Sequence, residues 1–255
     1  MELIVIGAGP AYTDRRGSAA ASYLVRAGGA ALLLDLGQGS FPNLASTLEP
    51  SELTAVVVSH LHPDHFIDLV PLRHYLRFEF DPPRRVRVLG PAGLGERIDA
   101  LHAAPGFAAA ALDMEALAAG TQRIGTFELE ARLATHTDES YAFRVCVAGA
   151  EGAGAAAPGL VYSGDCGRAE DLVPLIRSGD TLLAEASFGA GPVPDGAAHL
   201  DSPAAARAAT AGRAARLLLT HIQMGYDRIE ALAAAQSAFD GPIQLLLEGD
   251  RLEIW

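Results

Sequence analysis

The stretch Ala55-Val56-Val57-Val58-Ser59-His60-Leu61-His62-Pro63-Asp64-His65 decides the reading of this chain. Four apolar residues, three of them β-branched, read as a buried strand. The strand runs straight into a segment with three histidines and one aspartate in six residues. In extended backbone His60 and His62 project from one face, because side chains alternate with period two. Two imidazoles on one face can grip one cation. Asp64 and His65 follow where the chain turns into a helix, within reach of a second. Metal sites are built from nitrogen and oxygen donors at about 2.0–2.2 Å, and this stretch offers four. The bland alternative, an exposed polar loop capping a helix, does not call for three histidines.

The same order, an apolar strand and then a metal-type side chain, recurs along the chain. Residues 127–134 lead to His136, residues 160–163 to Gly164-Asp165, and residues 217–220 to His221. Strand ends gathered at one edge of a scaffold would bring these groups together. Taken alone, a histidine after a strand is more often a hydrogen-bonded structural residue, and Asp165 would suit a turn or a helix cap. Taken together, the four groups and these three make seven, about what two divalent cations need beside a bridging oxygen. A carboxylate such as Asp165 is the type among them that bridges two cations well.

Strands are expected at residues 3–6, 22–25, 31–35, 55–58, 85–89, 127–134, 141–147, 160–163, 181–184 and 217–220. The second and third make a hairpin around Gly28-Gly29, and residues 243–247 and 252–254 read as a final strand pair. Helices are expected at 41–48, after the Ser59–His65 segment to about Phe80 before Pro82-Pro83, and at 95–101, 169–176, 203–215 with Ser202 as cap, and 229–239. Residues 149–159 are a low-complexity Ala/Gly loop. Two batches of strands, each mixed with helices, predict two sheets packed face to face with helices outside. No composition break marks a linker, so residues 1–255 are expected to form one domain with two halves.

Composition bounds the function. Half of the 255 residues are hydrophobic, enough for a core without staples. The net charge of −12 disfavours a protein that coats nucleic acid, which needs a basic footprint. Cys146 and Cys166 make no disulfide framework. The opening Met-Glu-Leu-Ile-Val-Ile-Gly has no basic region ahead of a long apolar stretch, and no apolar run nears the roughly 18 residues of a membrane span. The expectation is a cytoplasmic globular protein. Gly7-Ala8-Gly9-Pro10-Ala11-Tyr12 lacks the third glycine of a dinucleotide loop.

The pattern of Asp35 in Leu-Leu-Leu-Asp-Leu-Gly, the His60–His65 motif, His136, Asp165 and His221 resembles the metallo-β-lactamase superfamily over essentially the whole chain. The resemblance implies an αββα sandwich with a dinuclear site at one edge. His60, His62 and His136 would hold one cation, Asp64, His65 and His221 the other, and Asp165 would bridge them. The cations would be zinc, with manganese or iron as alternatives. Asp35 looks like the family's aspartate that orients the ligand loop without binding metal.

Within the family, His62 stands where flavo-diiron reductases have glutamate, His65 is a ligand that true β-lactamases usually lack, and the Gly-His-Thr-x-Gly of glyoxalase II-type thioesterases is absent. Thr135-His136-Thr137-Asp138-Glu139-Ser140-Tyr141, Tyr162-Ser163-Gly164-Asp165, Leu183-Ala184-Glu185-Ala186-Ser187-Phe188 and His199 look like the ribonuclease Z branch, where groups at the positions of Glu185 and His199 assist the chemistry. Ala184 departs from that branch, which commonly has histidine there. From Ser140 onward the chain looks closer still to bacterial cyclic-nucleotide phosphodiesterases. The resemblance implies hydrolysis of a small phosphodiester by a hydroxide bridging the metals, with Asp64 among the catalytic ligands and His199, held by Glu185, protonating the leaving oxygen.

His136 and Asp165 are only 29 positions apart, so the tRNA-gripping arm of ribonuclease Z is absent and RNA 3′-end processing is the disfavoured alternative. Other readings are an iron-dependent persulfide dioxygenase and a non-catalytic binding scaffold, the latter disfavoured by the complete ligand set. Dimers are common among such relatives, which adds a homodimer to the expected partners. Arg144 is open between a phosphate contact and structural pairing, and His74 and His102, in expected helices, receive no role.

Overall fold

Leucine, valine and isoleucine runs in both halves of the chain build two mixed sheets, each covered on its outer face by helices. The structure is a computed structural model and describes residues 1–15, 18–149 and 157–254. The first sheet begins with β1 (Glu2–Gly7), β2 (Ser22–Ala27), β3 (Ala30–Leu34), β4 (Ala55–Val57), β5 (Val86–Gly90) and β6 (Leu112–Ala116). The second contains β7 (Gly120–Ile124), β8 (Phe127–Leu133), β9 (Tyr141–Val147), β10 (Leu160–Tyr162), β11 (Thr181–Glu185), β12 (Arg216–Thr220) and β13 (Ile243–Leu245). The chain then returns to the first sheet as β14 (Arg251–Glu253), antiparallel to β1. Helices α1 (Ser40–Thr47), α2 (Pro63–Phe66), α3 (Leu69–Phe78) and α4 (Leu94–His102) belong to the first half, and α5 (Ser202–Gly212) and α6 (Arg228–Gln236) to the second.

The inner strands are buried on both faces, which is why they read as continuous apolar runs, whereas β8 alternates buried and exposed residues. Leu3, Val5, Tyr23, Leu34 and Val57 face Phe127, Leu129, Phe143, Tyr162 and Leu218 between the sheets. Ile4, Leu24, Leu33 and Val56 pack outward against Leu44, Leu72 and Ile98 of the helices. On the other side Val161, Leu182 and Leu219 pack against the alanine faces of α5 and α6. The expected αββα sandwich is the observed one. Gly28 and Gly29, both left-handed at φ 55° and 82°, make the tight turn of the β2–β3 hairpin.

Four details depart from the sequence reading. In place of one helix following the Ser59–His65 segment to about Phe80 stand the short α2 and then α3, because Pro71 has no N–H and is tolerated only in a first turn. Residues 169–176 form only a 3₁₀ turn, Ala169–Asp171, since Pro174 would fall inside a longer helix. Asp201, not Ser202, caps α5 by accepting from Ala204 N at 2.8 Å, while Ser202 Oγ donates to Ala231 O and ties α5 to α6. The final strand pair separates, β13 joining the second sheet and β14 the first. Strands β6 and β7 carried no apolar signal, each being the outermost strand on its side. Of the loop expected at 149–159, residues 150–156 lie outside the described part.

Strands β3 to β6 run parallel, as do β10 to β13, and β8 points the same way as β10. The loops that leave their carboxyl ends therefore emerge at one edge, where ligands bind in parallel sheets. Away from that edge, Arg144 forms a structural pair with the fully buried Asp180, through Nε at 2.7 Å and an Nη at 2.9 Å. Asp180 also accepts from the backbone N–H of Gly159 and Arg177. Asp180→Ala strands a buried guanidinium, so equilibrium unfolding in denaturant should show a loss of about 3–5 kcal/mol.

Candidate metal centre

Six segments deliver the centre. Asp35 leaves β3, the His60–His65 loop leaves β4 and enters α2, and His136 follows β8. Asp165 follows β10, Glu185 ends β11 and His221 follows β12. Every residue singled out in the sequence arrives here except Arg144. His74 Nδ1 bonds Val70 O at 2.9 Å and its ring meets His102, away from the centre.

Two donor groups share one carboxylate. His60, His62, His136 and Asp165 form one, and Asp64, His65, Asp165 and His221 the other, each with its donor atoms within 4.8 Å of one another. His62 Nδ1 lies 3.1 Å from His60 Nε2 and 3.0 Å from His136 Nε2. Asp165 Oδ2 is 3.6 Å from both His60 Nε2 and His136 Nε2. Asp165 Oδ1 faces the second group, 3.3 Å from His65 Nε2 and 3.6 Å from His221 Nε2. Asp64 Oδ2 lies 3.3 Å from His221 Nε2. Donors about 2.0–2.1 Å from a tetrahedral zinc stand about 3.3 Å from one another, which is the spacing found.

The hydrogen bonds behind the rings decide which nitrogen faces inward. His65 Nδ1 donates to Asp35 Oδ2 at 2.7 Å, leaving Nε2 pointing into the centre. Ser59 Oγ gives its proton to Asp35 Oδ2 at 2.8 Å, so it accepts from His60 Nδ1 at 3.0 Å. His136 Nδ1 can only donate to the carbonyl of Ala198, at 2.7 Å. Each of these rings therefore turns a bare Nε2 inward. His65 Nε2 and Asp165 Oδ1 are buried and have no hydrogen-bond partner, a state that is costly unless something else meets them. A cation between them would meet both, and the residues fit a metal site.

Electrostatics agree. Burial, with neighbouring histidines, pushes His60 well below the ordinary imidazole value, and burial beside His136 lowers His62, so both remain neutral donors. Burial works against charge at Asp165 and His65, yet their neighbours outweigh it. His221 and His65 hold the Asp165 carboxyl well below its usual range, and Asp165 and Asp35 hold His65 well above its own. The centre favours positive charge.

Beside it, the buried Glu185 accepts from His199 Nδ1 and from Cys166 N, both at 2.9 Å, through Oε1. Burial alone would lower the His199 imidazole, but the hydrogen bond and charge of Glu185 raise it to about 9. Its Nδ1 lies 3.8 Å from Asp165 Oδ2. Ser59, Tyr162 and Ser187 lie inside the segments quoted from the sequence but receive no role there, because what a hydroxyl supports shows only once the loops are stacked.

The family profile described as a beta-lactamase superfamily domain matches residues 33–222. An uncharacterized protein of Mycobacterium leprae is 32% identical over 244 residues, covering 93% of this chain and 83% of the relative. The probable metallo-hydrolase YhfI of Bacillus subtilis is 26% identical over 91% of each chain. Its crystal structure superposes with a TM-score of 0.86 over 98% of both chains, at 23% identity. A ribonuclease Z of Mycobacterium sp. (strain KMS) is 36% identical over 110 residues, 42% of this chain and 38% of that enzyme.

Asp35→Asn turns one of the two accepting oxygens into an NH2 donor, so the bonds from Ser59 N–H and from His65, Ser59 Oγ and Tyr162 can no longer all be made. Zinc titration by calorimetry should show affinity weakened about 10–100-fold in a protein that still unfolds cooperatively.

Proposed function

This chain is a metallo-hydrolase of the beta-lactamase superfamily, and from that premise we propose that it hydrolyses a small phosphodiester, a 3′,5′-cyclic nucleotide above all. One observation carries the reading: the His199–Glu185 pair, joined at 2.9 Å, stands beside the shared carboxylate Asp165. A nucleoside alkoxide is a poor leaving group and gains from a proton donor, whereas a thiolate leaves without one. A dedicated histidine there favours phosphodiester over thioester chemistry.

His60, His62 and His136 would hold one cation and Asp64, His65 and His221 the second, with Asp165 between them. Zinc suits this nitrogen-rich donor set best. Bound there, the pair of cations would supply Lewis-acid neutralisation of phosphoryl charge and acidify water at neutral pH.

The chain's own groups do the rest. Glu185 fixes His199 Nδ1–H, which turns the other ring nitrogen toward the leaving oxygen for proton delivery. His199 also lines a cleft of about 360 Å³ with Val173, Val193, Arg168 and Arg207, room for the leaving side of the substrate. Buried Asp64 and His65 hold the floor of the centre.

The size of the substrate follows from two features. His136 and Asp165 are only 29 positions apart, and β9 and β10 take up much of the described chain between them, which is too short a span for a long RNA-gripping arm. The charge of −12 repels a polyanion. The local likeness to ribonuclease Z supports RNA 3′-end cleavage as a second reading, and RNA substrates belong in the same assay. Among the described residues no helix is long and apolar enough to cross a membrane. The two free thiols, Cys146 and Cys166, suit the reducing cytoplasm to which we assign the chain.

Zinc- or manganese-loaded protein should hydrolyse 3′,5′-cyclic AMP, and Asp64→Ala should abolish turnover. Protein that holds metal yet leaves cyclic nucleotides intact contradicts this substrate. His199→Ala should slow cyclic AMP hydrolysis about 10²–10⁴-fold and change little with bis(p-nitrophenyl) phosphate, whose phenolate departs without a proton. Equal losses on both substrates would contradict the proton-donor role.

A further inference from the structure

The two oxygens of Glu185 are divided between two histidines. Oε1 serves His199, while Oε2 accepts from Ser187 twice, from the backbone N–H at 3.0 Å and from Oγ at 2.5 Å. A serine hydroxyl has one proton to give. With that proton on Glu185, Ser187 Oγ is an acceptor, and His221 Nδ1 stands 3.0 Å away. Only the Nδ1–H form of His221 satisfies this contact. With the ring neutral, that form leaves Nε2 free to face a cation lying between it, Asp64 Oδ2 at 3.3 Å and Asp165 Oδ1 at 3.6 Å; with the ring doubly protonated, Nε2–H donates to Asp64 instead. His199 Nδ1 is farther from the same hydroxyl, at 3.3 Å, and its proton is held by Glu185.

His221 needs such a support more than the other rings do. It sits at φ 60°, left-handed backbone that is uncommon outside glycine, so its ring leaves the chain at an angle unlike those of the other ligand-type histidines. Its backbone N–H is taken by Ala8 O at 3.1 Å. Asp35 supports His65 directly and His60 through Ser59, and Ala198 supports His136, but none of these reaches the Nδ1 of His221. The ring is buried, so water does not take over the task.

We infer that Ser187 is a positioning residue that fixes the tautomer and orientation of His221. Through it Glu185 ties the proposed proton donor to a ligand of the second cation. The inference rests on reading His221 as that ligand, and it assigns a role to a residue that the proposed reaction leaves unused. It also explains why Glu185 is buried with four donors around it: a shift of this carboxylate would disturb the donor and the second cation position together.

The test uses the full chain with Ser187→Ala and Ser187→Thr. Long-range ¹H–¹⁵N spectra of metal-free, histidine-labelled protein, recorded at alkaline pH where the rings are neutral, report the tautomer directly. Wild type and Ser187→Thr should show His221 protonated at Nδ1, and Ser187→Ala should lose that preference. In zinc titrations Ser187→Ala should keep one tight equivalent while the second weakens about 10–100-fold, and Ser187→Thr should restore both. An alanine variant with an unchanged His221 tautomer and two unchanged zinc affinities overturns the inference. Should the alanine variant not fold, Ser187→Cys, of similar size but with a weak acceptor, carries the same expectations. The tautomer is read without metal, so a wild type that bound no zinc would refute the ligand reading and leave the role of Ser187 to be decided by the spectra.

Discussion

The carboxylate of Asp35 is the point on which the rest of the structure depends. It is wholly buried and accepts four hydrogen bonds: from Ser59 N at 2.7 Å, Ser59 Oγ at 2.8 Å, His65 Nδ1 at 2.7 Å and Tyr162 O–H at 2.6 Å. Those donors come from the loop after β4, from α2 and from β10, so one side chain joins both sheets at the edge where the centre is built. Its backbone lies in the left-handed region at φ 59°, a cost of order 1–3 kcal/mol that surrounding bonds must offset. With all four bonds made it is a fixed acceptor against which the His60–His65 loop is aligned.

The centre gathers at one edge because the strands there are parallel. Left-handed turns at Asp35, Gly164 and His221 then swing the following groups inward. At Gly164 the requirement is steric as well, since a Cβ would come within 2.8 Å of Tyr141 O. The support behind the rings is likewise distributed, with Asp35 under His60 and His65, a carbonyl under His136, and Glu185 under His199. Strain and buried charge are concentrated at this edge, while apolar packing and the Arg144–Asp180 pair hold the remainder.

Much of this was legible in the sequence, for a physical reason. Metal donors are chemically conspicuous, and they follow apolar strands whose ends the sandwich must bring to one edge. His60, His62, Asp64, His65, His136, Asp165 and His221 could therefore be named without coordinates, and Asp35, Glu185 and His199 through the family resemblance. Ser59, Tyr162 and Ser187 could not, because serine and tyrosine occur everywhere and their task is set by a three-dimensional neighbour. Strands β6 and β7 were hidden by polar residues such as Asp113, Glu115 and Arg123, which an outer strand can leave in solvent. The helix expected at 169–176 is held to one turn by Pro174, whose missing N–H is a local feature that sequence does show.

The central claim is that seven side chains from four segments form one centre for two cations, bridged by Asp165. Calorimetric titration of metal-free wild-type protein with zinc, followed by metal analysis after gel filtration, tests it most directly. Two retained equivalents per chain is the predicted result. A single equivalent, or none, would contradict the account.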